Sequence, residues 1–222
     1  MPIFTHNRDD YPEEYTFKEN ELSKAIDEKP ENANSWLARG NFYFEFGLFK
    51  QSASDFKEAI RLGIDDVDTH YYLANSYFLS EQYIESINEW SYLIGKNKEE
   101  AEFYSLHGWA YRKSGDYKLS EADYGKAISL TPDDEEHRGS INHYHYFRGQ
   151  LYCEMREYSK AIHDFQFTLK RSPYWKACKM WLKDAKNALK NNLPFTEENF
   201  CGYEGHSGFV EMRPLKEIED GN

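Results

Sequence analysis

Cysteine is scarce in this chain of 222 residues, which contains only Cys153, Cys178 and Cys201. Their number is odd and their spacing fits neither a metal site nor a redox pair, as is typical of a protein kept in a reducing compartment. Long apolar runs are also missing, since no stretch approaches the roughly 18 residues that would span a bilayer. Residues 1–10 lack the layout of a signal peptide. We therefore expect a cytoplasmic protein that does not enter a membrane.

Basic side chains are in deficit, because 27 lysines and arginines stand against 39 acids and give a formal net charge of −12. This balance argues against a general nucleic-acid binder and mildly favours a basic protein partner.

Candidate catalytic and metal-binding groups are few. Cys201 and His206 are close in sequence, as a thiol nucleophile and its base would be, but their segment offers no evident oxyanion donors. We interpret them as ordinary residues of the C-terminal segment. His143 and His145 would face different sides of a helix and do not predict a metal site. We expect no catalytic residue, no metal and no cofactor, and therefore no enzyme.

Aromatic and small residues recur with a fixed period. A tyrosine returns at separations of 34, 34 and 41 residues, at Tyr43, Tyr77, Tyr111 and Tyr152. Three positions before each is a small residue: Gly40, Ala74, Gly108 and Gly149. Thirteen positions after each is a large aromatic: Phe56, Trp90, Tyr124 and Phe165. A period in the thirties is typical of stacked supersecondary units.

Each unit has the pattern of two helices. In the first copy Trp36, Gly40 and Tyr43 share one helical face, Gly47 interrupts the helix, and Phe56 belongs to the inner face of a second helix. His70, His107 and His145 fall at packing positions, where buried and hydrogen-bonded histidines are expected.

At these positions the chain resembles the tetratricopeptide repeat family. The matching segments are residues 33–66, 67–100, 101–134 and 142–175. The resemblance implies an all-α fold, a right-handed α-solenoid of stacked antiparallel helix pairs.

The ends fit the same architecture. Residues 15–30 and 174–191 are predicted capping helices, which complete a solenoid over residues 15–191. They leave an N-terminal extension at residues 1–14 and a C-terminal tail at residues 192–222. Residues 135–141 are an insertion predicted to lengthen one loop or one helix, with Ser140 as a candidate N-cap.

The resemblance further implies a protein-binding scaffold or adaptor whose first helices line a concave groove. The predicted groove residues are Leu37, Asn41, Phe44, Tyr71, Asn75, Phe78, Trp109, Arg112, Lys113, Tyr146 and Gln150. The amides could pair with a peptide backbone or simply solvate the groove. Partial exposure of Tyr71 and Trp109, in an apolar strip with Phe44 and Phe78, is expected.

Other interpretations remain open. Acidic or apolar residues replace the basic residues with which some members of the family clamp a C-terminal carboxylate, so that function is not expected. A self-assembling structural subunit of a larger complex is the alternative to a peptide-binding scaffold. We expect the protein itself to be a monomer or a homodimer. The lysines at 176, 179, 183, 186 and 190 form either a dock for an acidic partner or nucleic acid, or a solvated face, and we favour the solvated face.

The apolar tail has three possible fates: packing on its own solenoid, binding another copy, or ordering on a partner. We favour the first, with Phe195 and Phe200 docked on the last two helices because a short loop closes at the lowest entropic cost.

Overall fold

A computed structural model describes residues 12–196 and 199–200 of the chain. In these residues the regular secondary structure consists of helices without strands, which confirms the all-α, helical-repeat solenoid class that the sequence predicted. The ten helices are α1 Pro12–Glu28, α2 Ala33–Glu45, α3 Phe49–Arg61, α4 Val67–Leu79, α5 Tyr83–Lys96, α6 Ala101–Ser114, α7 Tyr117–Leu130, α8 Arg138–Glu154, α9 Tyr158–Arg171 and α10 Lys176–Asn191. Cys201, His206 and the tail beyond them lie outside the described residues, as does most of the N-terminal extension.

The helices belong to two compact units, whose boundary falls between Leu93 and Ile94 inside α5. In the first unit α2 packs against α3, α3 against α4, and α1 against α2. In the second unit α6 packs against α7, α8 against α9, and α10 against α9. Helices α2 to α9 fall, two by two, within residues 33–66, 67–100, 101–134 and 138–175. The division into four repeats with α1 and α10 as caps stays a prediction.

Close approach at the small residue holds the two helices of a pair together. A Cβ placed on Gly40 would come 3.0 Å from the ring of Phe56, and one placed on Gly149 would come 2.6 Å from the ring of Phe165. The recurrent aromatic therefore lies directly over the backbone of the preceding helix. Because Phe56 and Phe165 are fully buried, this contact lies at the centre of the repeat core.

The turn inside each helix pair uses a left-handed backbone at one fixed position. Its φ is 71° at Gly47, 64° at Glu81, 91° at Gly115 and 60° at Arg156. Glycine adopts this conformation without strain, whereas Glu81 and Arg156 pay a steric cost of about 1 kcal/mol each. Glu81 and Arg156 thus make, in the second and fourth repeats, the same turn that Gly47 makes in the first.

An acidic residue just before each core aromatic binds a basic residue on the preceding helix. Arg39 donates through Nε and Nη2 to Asp55, at 2.7 and 3.0 Å, and Arg148 makes the same two-pronged contact with Asp164 at 2.8 and 2.9 Å. These ion pairs were not predicted from the sequence, although the acids recur with the same period as the aromatics they precede.

Histidine takes the basic role in the two middle repeats. The Nδ1 atom of His70 is 2.7 Å from Glu89, and that of His107 is 3.0 Å from Asp123. His145 supports the last pair, with its Nδ1 2.8 Å from Asp164. All three histidines are buried, as expected from their packing positions.

The insertion lengthens a helix. Helix α8 has 17 residues and begins at Arg138, whereas α6 has 14. Its N-cap residue is His137, so the prediction that Ser140 caps the helix was wrong. Asp134 accepts hydrogen bonds from the backbone N–H of His137 and lies 2.8 Å from its ring, which starts the helix before the serine is reached.

The described part of the tail docks on the last two helices, as predicted. Phe200 is fully buried, with its ring centroid 5.9 Å from that of Tyr158 and 5.6 Å from that of Trp181. Phe195 stacks on Trp181 at 6.1 Å. The hydroxyl of Tyr158 donates to the carbonyl of Leu193 at 2.7 Å and fixes the chain as it leaves α10.

A pair of glycine substitutions tests the close approach. Gly149→Ala should lower the melting temperature, because its new Cβ would overlap Phe165 and overpacking costs about 1–3 kcal/mol. Gly125→Ala, also inside a helix but with nothing within 4 Å of its added Cβ, should instead raise stability by up to about 1 kcal/mol through helix propensity. Urea unfolding of both variants measures the difference, and equal shifts of the same sign would contradict this packing.

The stability of the first unit should depend on the protonation of His70. Burial lowers the pKa of His70, but hydrogen bonds and charges from Glu89 and Asp65 outweigh it and raise that pKa. A raised folded-state pKa means that this group stabilises the fold fully below about pH 6.5, and that its contribution is lost as pH rises through the raised value.

The unfolding free energy of the protein should therefore exceed that of His70→Gln by the largest margin near pH 6, and the margin should narrow towards pH 9. Urea titrations of both proteins across this range provide the measurement. A margin that is constant or grows with pH would contradict the assignment.

Candidate functional site

Most predicted groove residues of the first unit serve in packing. Leu37 and Asn41 are half-buried, whereas Phe44, Tyr71, Asn75 and Phe78 are buried, with exposures of 8% or less for the four. The apolar strip expected from the sequence is thus not an open surface in this unit.

Contacts between aromatic rings explain the burial of Phe44 and Tyr71. Phe44 packs edge-on against Tyr72 of the next repeat, with centroids 5.2 Å apart. Tyr71 packs edge-on against Trp90 at 5.3 Å. The expected partial exposure of Tyr71 was therefore wrong, because its ring completes the core between α4 and α5 rather than pointing to solvent.

The amide of Asn75 is directed onto its own helix. Its Nδ2 donates to the carbonyl oxygen of Tyr71 at 2.9 Å. A donor used in this way is not presented to a peptide backbone, which favours the structural role for Asn75. Its role in partner binding, like that of Asn41, stays a prediction.

In the second unit the predicted groove residues cluster on α6 and α8. Trp109 is half-buried and stacks on Phe147, with the planes 6° apart and the centroids 6.3 Å apart. The expected partial exposure of Trp109 is confirmed. Tyr146 is buried beside Trp175, at 4.6 Å between centroids, and its burial raises the pKa of its hydroxyl.

Arg112 occupies a position that is apolar in the first two repeats. Phe44 and Phe78 hold the equivalent places, where they pack on Phe49 and Tyr83. The Arg112 side chain instead crosses to α8, donating from Nε and Nη2 to Glu154 at 3.0 and 2.6 Å. It is only 8% exposed, so the ion pair is largely removed from water.

Gln150 completes the bridge between the helices. Its Oε1 accepts a hydrogen bond from Nη1 of Arg112 at 2.9 Å. Lys113 follows Arg112 on α6 and is exposed. Three predicted groove residues, Arg112, Lys113 and Gln150, therefore lie near the C-terminal ends of α6 and α8.

A cavity of about 310 Å³ opens at this place. Its lining residues are Arg112, Lys113, Tyr117, Glu154, Arg156 and Phe195. Three of these side chains are basic and one is acidic, and the acid is already bound to Arg112. The cavity thus presents excess positive charge in a protein whose net charge is −12.

Two features of the lining were not foreseen from the sequence. Arg156 belongs to the turn between α8 and α9 and keeps the left-handed backbone at φ 60°. Phe195 comes from the docked tail and forms an apolar wall. The position of Arg156 could have been predicted only from the periodic turn position. No local sequence pattern predicts that Phe195 lines the cavity.

The basic stripe lies where the sequence placed it. Its five lysines, at 176, 179, 183, 186 and 190, are all exposed on α10. In the described part of the chain, no helix is long and apolar enough to cross a membrane.

Comparisons with known proteins agree with this architecture. Residues 96–134 match the tetratricopeptide repeat family. No curated protein sequence matches the chain.

Solved structures share the fold at low sequence identity. YrrB, described as a TPR protein with an unusual peptide-binding site, is 18% identical, with a TM-score of 0.64 over 78% of this chain and 84% of its own. A TPR repeat-containing protein from Cytophaga hutchinsonii is 18% identical, with a TM-score of 0.65 over 81% of this chain and 68% of its own.

MamA from Desulfovibrio magneticus is 14% identical, with a TM-score of 0.62 over 74% of this chain and 89% of its own. At such identities these likenesses show the fold alone. Together with the match at residues 96–134, they show a helical-repeat fold that contains a tetratricopeptide repeat.

Proposed function

We propose that the protein is a non-enzymatic interaction scaffold that binds an acidic peptide segment of a partner protein at the end of α6 and α8. The fold supports the general role, since tetratricopeptide repeats generally serve as protein-interaction modules. The single observation that carries the finer proposal is the cationic cavity lined by Arg112, Lys113 and Arg156.

The chemistry of the lining favours a carboxylate-bearing side chain. Lys113 and Arg156 are exposed and can reorient towards a ligand. Arg112 is held by Glu154 and Gln150, so its position is fixed before binding and little further entropy is lost. Tyr117 and Phe195 add aromatic surface that can cover the aliphatic part of a bound residue.

The local charge reverses the expectation from overall composition. A net charge of −12 favours basic partners at long range, but at an ionic strength of about 0.15 M charges more than about 8 Å apart are largely screened. The charge of the preferred ligand therefore depends on the groups that line the cavity, and those groups are mainly basic.

Titration of the 15N-labelled protein with a short Asp/Glu-rich peptide tests the site. We expect amide shifts centred on Lys113, Tyr117 and Arg156, and none with a Lys-rich peptide of the same length. Lys113→Glu with Arg156→Glu should abolish the shifts, because two attractive charges become repulsive.

The matched control is Lys126→Glu with Lys170→Glu, which reverses two exposed charges of the same unit outside the cavity lining. It should bind the acidic peptide normally. Equal loss of binding in both double variants would mean that only net charge matters, and binding of the Lys-rich peptide would overturn the proposal.

We expect Arg156 to lower the stability of the fold and to strengthen the binding of the acidic peptide. Arg156→Gly relieves the left-handed strain, so it should raise the unfolding free energy by about 0.5–1 kcal/mol. The same substitution should weaken the binding of the acidic peptide. Glu81→Gly relieves the equivalent turn in the first unit and should raise stability with unchanged peptide affinity. Thermal melts and the same titration separate the two effects. If Arg156→Gly bound the acidic peptide with unchanged affinity, Arg156 would not be part of the binding site.

A further inference from the structure

The exposed face of α10 is the most strongly charged feature of one sign among the described helices. The helix carries five lysines and a single acid, Asp184, and all five lysines are exposed. At about 100° per residue the lysines fall in one narrow stripe, opposite the buried Cys178, Trp181 and Ala185. The stripe also includes Met180, whose side chain is 44% exposed.

Helix α1 presents the complementary face. Glu13 lies one helical turn before Phe17 and Glu21 lies one turn after it. Both acids are exposed, and Phe17 is 71% exposed. Asp27 and Glu28 continue the acidic face towards the end of the helix. Lys18 lies 3.2 Å from Glu21 and Lys24 lies 3.7 Å from Glu28, so these four acids keep an excess of two negative charges. The opposite side of α1 is occupied, because Tyr15 packs on Phe42 and Phe46.

We propose that α1 of one copy of the protein docks on α10 of a second copy, so that copies associate through these two unlike faces. This inference goes beyond the binding of a peptide at the cavity and uses none of the residues that line it.

Spacing and chemistry support this pairing. Glu13 and Glu21 are eight residues apart, or about 12 Å along the helix axis, and Lys176 and Lys183 are seven apart, or about 11 Å. The acids flank Phe17 as the lysines flank Met180. Two such helices laid side by side can therefore bring each acid near a lysine and the methionine thioether against the aromatic ring.

Symmetry restricts the form of the assembly. Two α10 faces would repel each other, so a contact of α10 with α10 about a two-fold axis is excluded by charge. Contact between the unlike faces can be made reciprocally in a pair of copies, or it can leave a free α1 and a free α10 to which further copies add. In either case the mass of the assembly should rise with concentration above that of the monomer.

The charge-swap experiment uses the full-length protein at about 0.15 M salt, where screening limits interactions to close neighbours. Sedimentation equilibrium from about 5 µM to about 500 µM should show the mass of the protein rising. Lys176→Glu with Lys183→Glu should remain monomeric over this range, and so should Glu13→Lys with Glu21→Lys. A one-to-one mixture of the two double variants should associate again, since each reversed face meets its complement.

The control Lys57→Glu with Lys98→Glu produces the same net charge as the α10 variant, at exposed lysines outside α10, and should associate like the unmodified protein. Circular dichroism verifies that every variant remains helical. A protein that is monomeric throughout the range, a mixture that fails to associate, or a control that loses association as the α10 variant does would each overturn the proposal. The α10 variant should bind the acidic peptide normally. Loss of self-association could then be distinguished from a loss of peptide binding at the cavity.

Discussion

The close crossing of two helices in each repeat is the constraint on which the rest of the structure depends. The crossing needs a residue without a large side chain on the first helix, since the ring of the core aromatic lies over that backbone at Gly40 and Gly149. It also fixes the acid that precedes the aromatic against the first helix, where Arg39, His107 or Arg148 binds it. Apolar packing supplies most of the stabilisation, and the ion pair sets the register, because an unpaired buried charge would be costly.

The sequence predicted this framework because its determinants are local and periodic. Spacing predicted the helical class and the approximate positions of the helices, and the short loop at Leu193 made docking of Phe195 and Phe200 on α9 and α10 the least costly arrangement. The helix start after the insertion was harder to foresee, since an aspartate turn at Asp134 competes with Ser140 for the same role.

The candidate site was less predictable, because exposure depends on neighbours that a single helix pattern does not contain. Tyr71 and Trp109 belong to the same predicted face of their first helices, one turn apart, since Trp109 corresponds to Asn75. Tyr71 contacts Trp90 and is buried, whereas Trp109 stacks on Phe147 and is half-buried. The cavity combines a charged residue at a normally apolar position, a turn residue and a tail residue. Only the first, Arg112, stands out when the repeats are compared in sequence.

The position of Arg112 links the fold to the site. Where Phe44 fills the space before the next repeat, it packs on Tyr72 and leaves no cationic surface. Arg112 spans the equivalent space with hydrogen bonds to Glu154 and Gln150. Hydrogen bonds fill volume less densely than a ring, and the room that remains beside Tyr117 is lined by Lys113 and Arg156. Arg112 thus contributes both to the wall of the cavity and to its charge, at a position where the first two repeats have a buried phenylalanine.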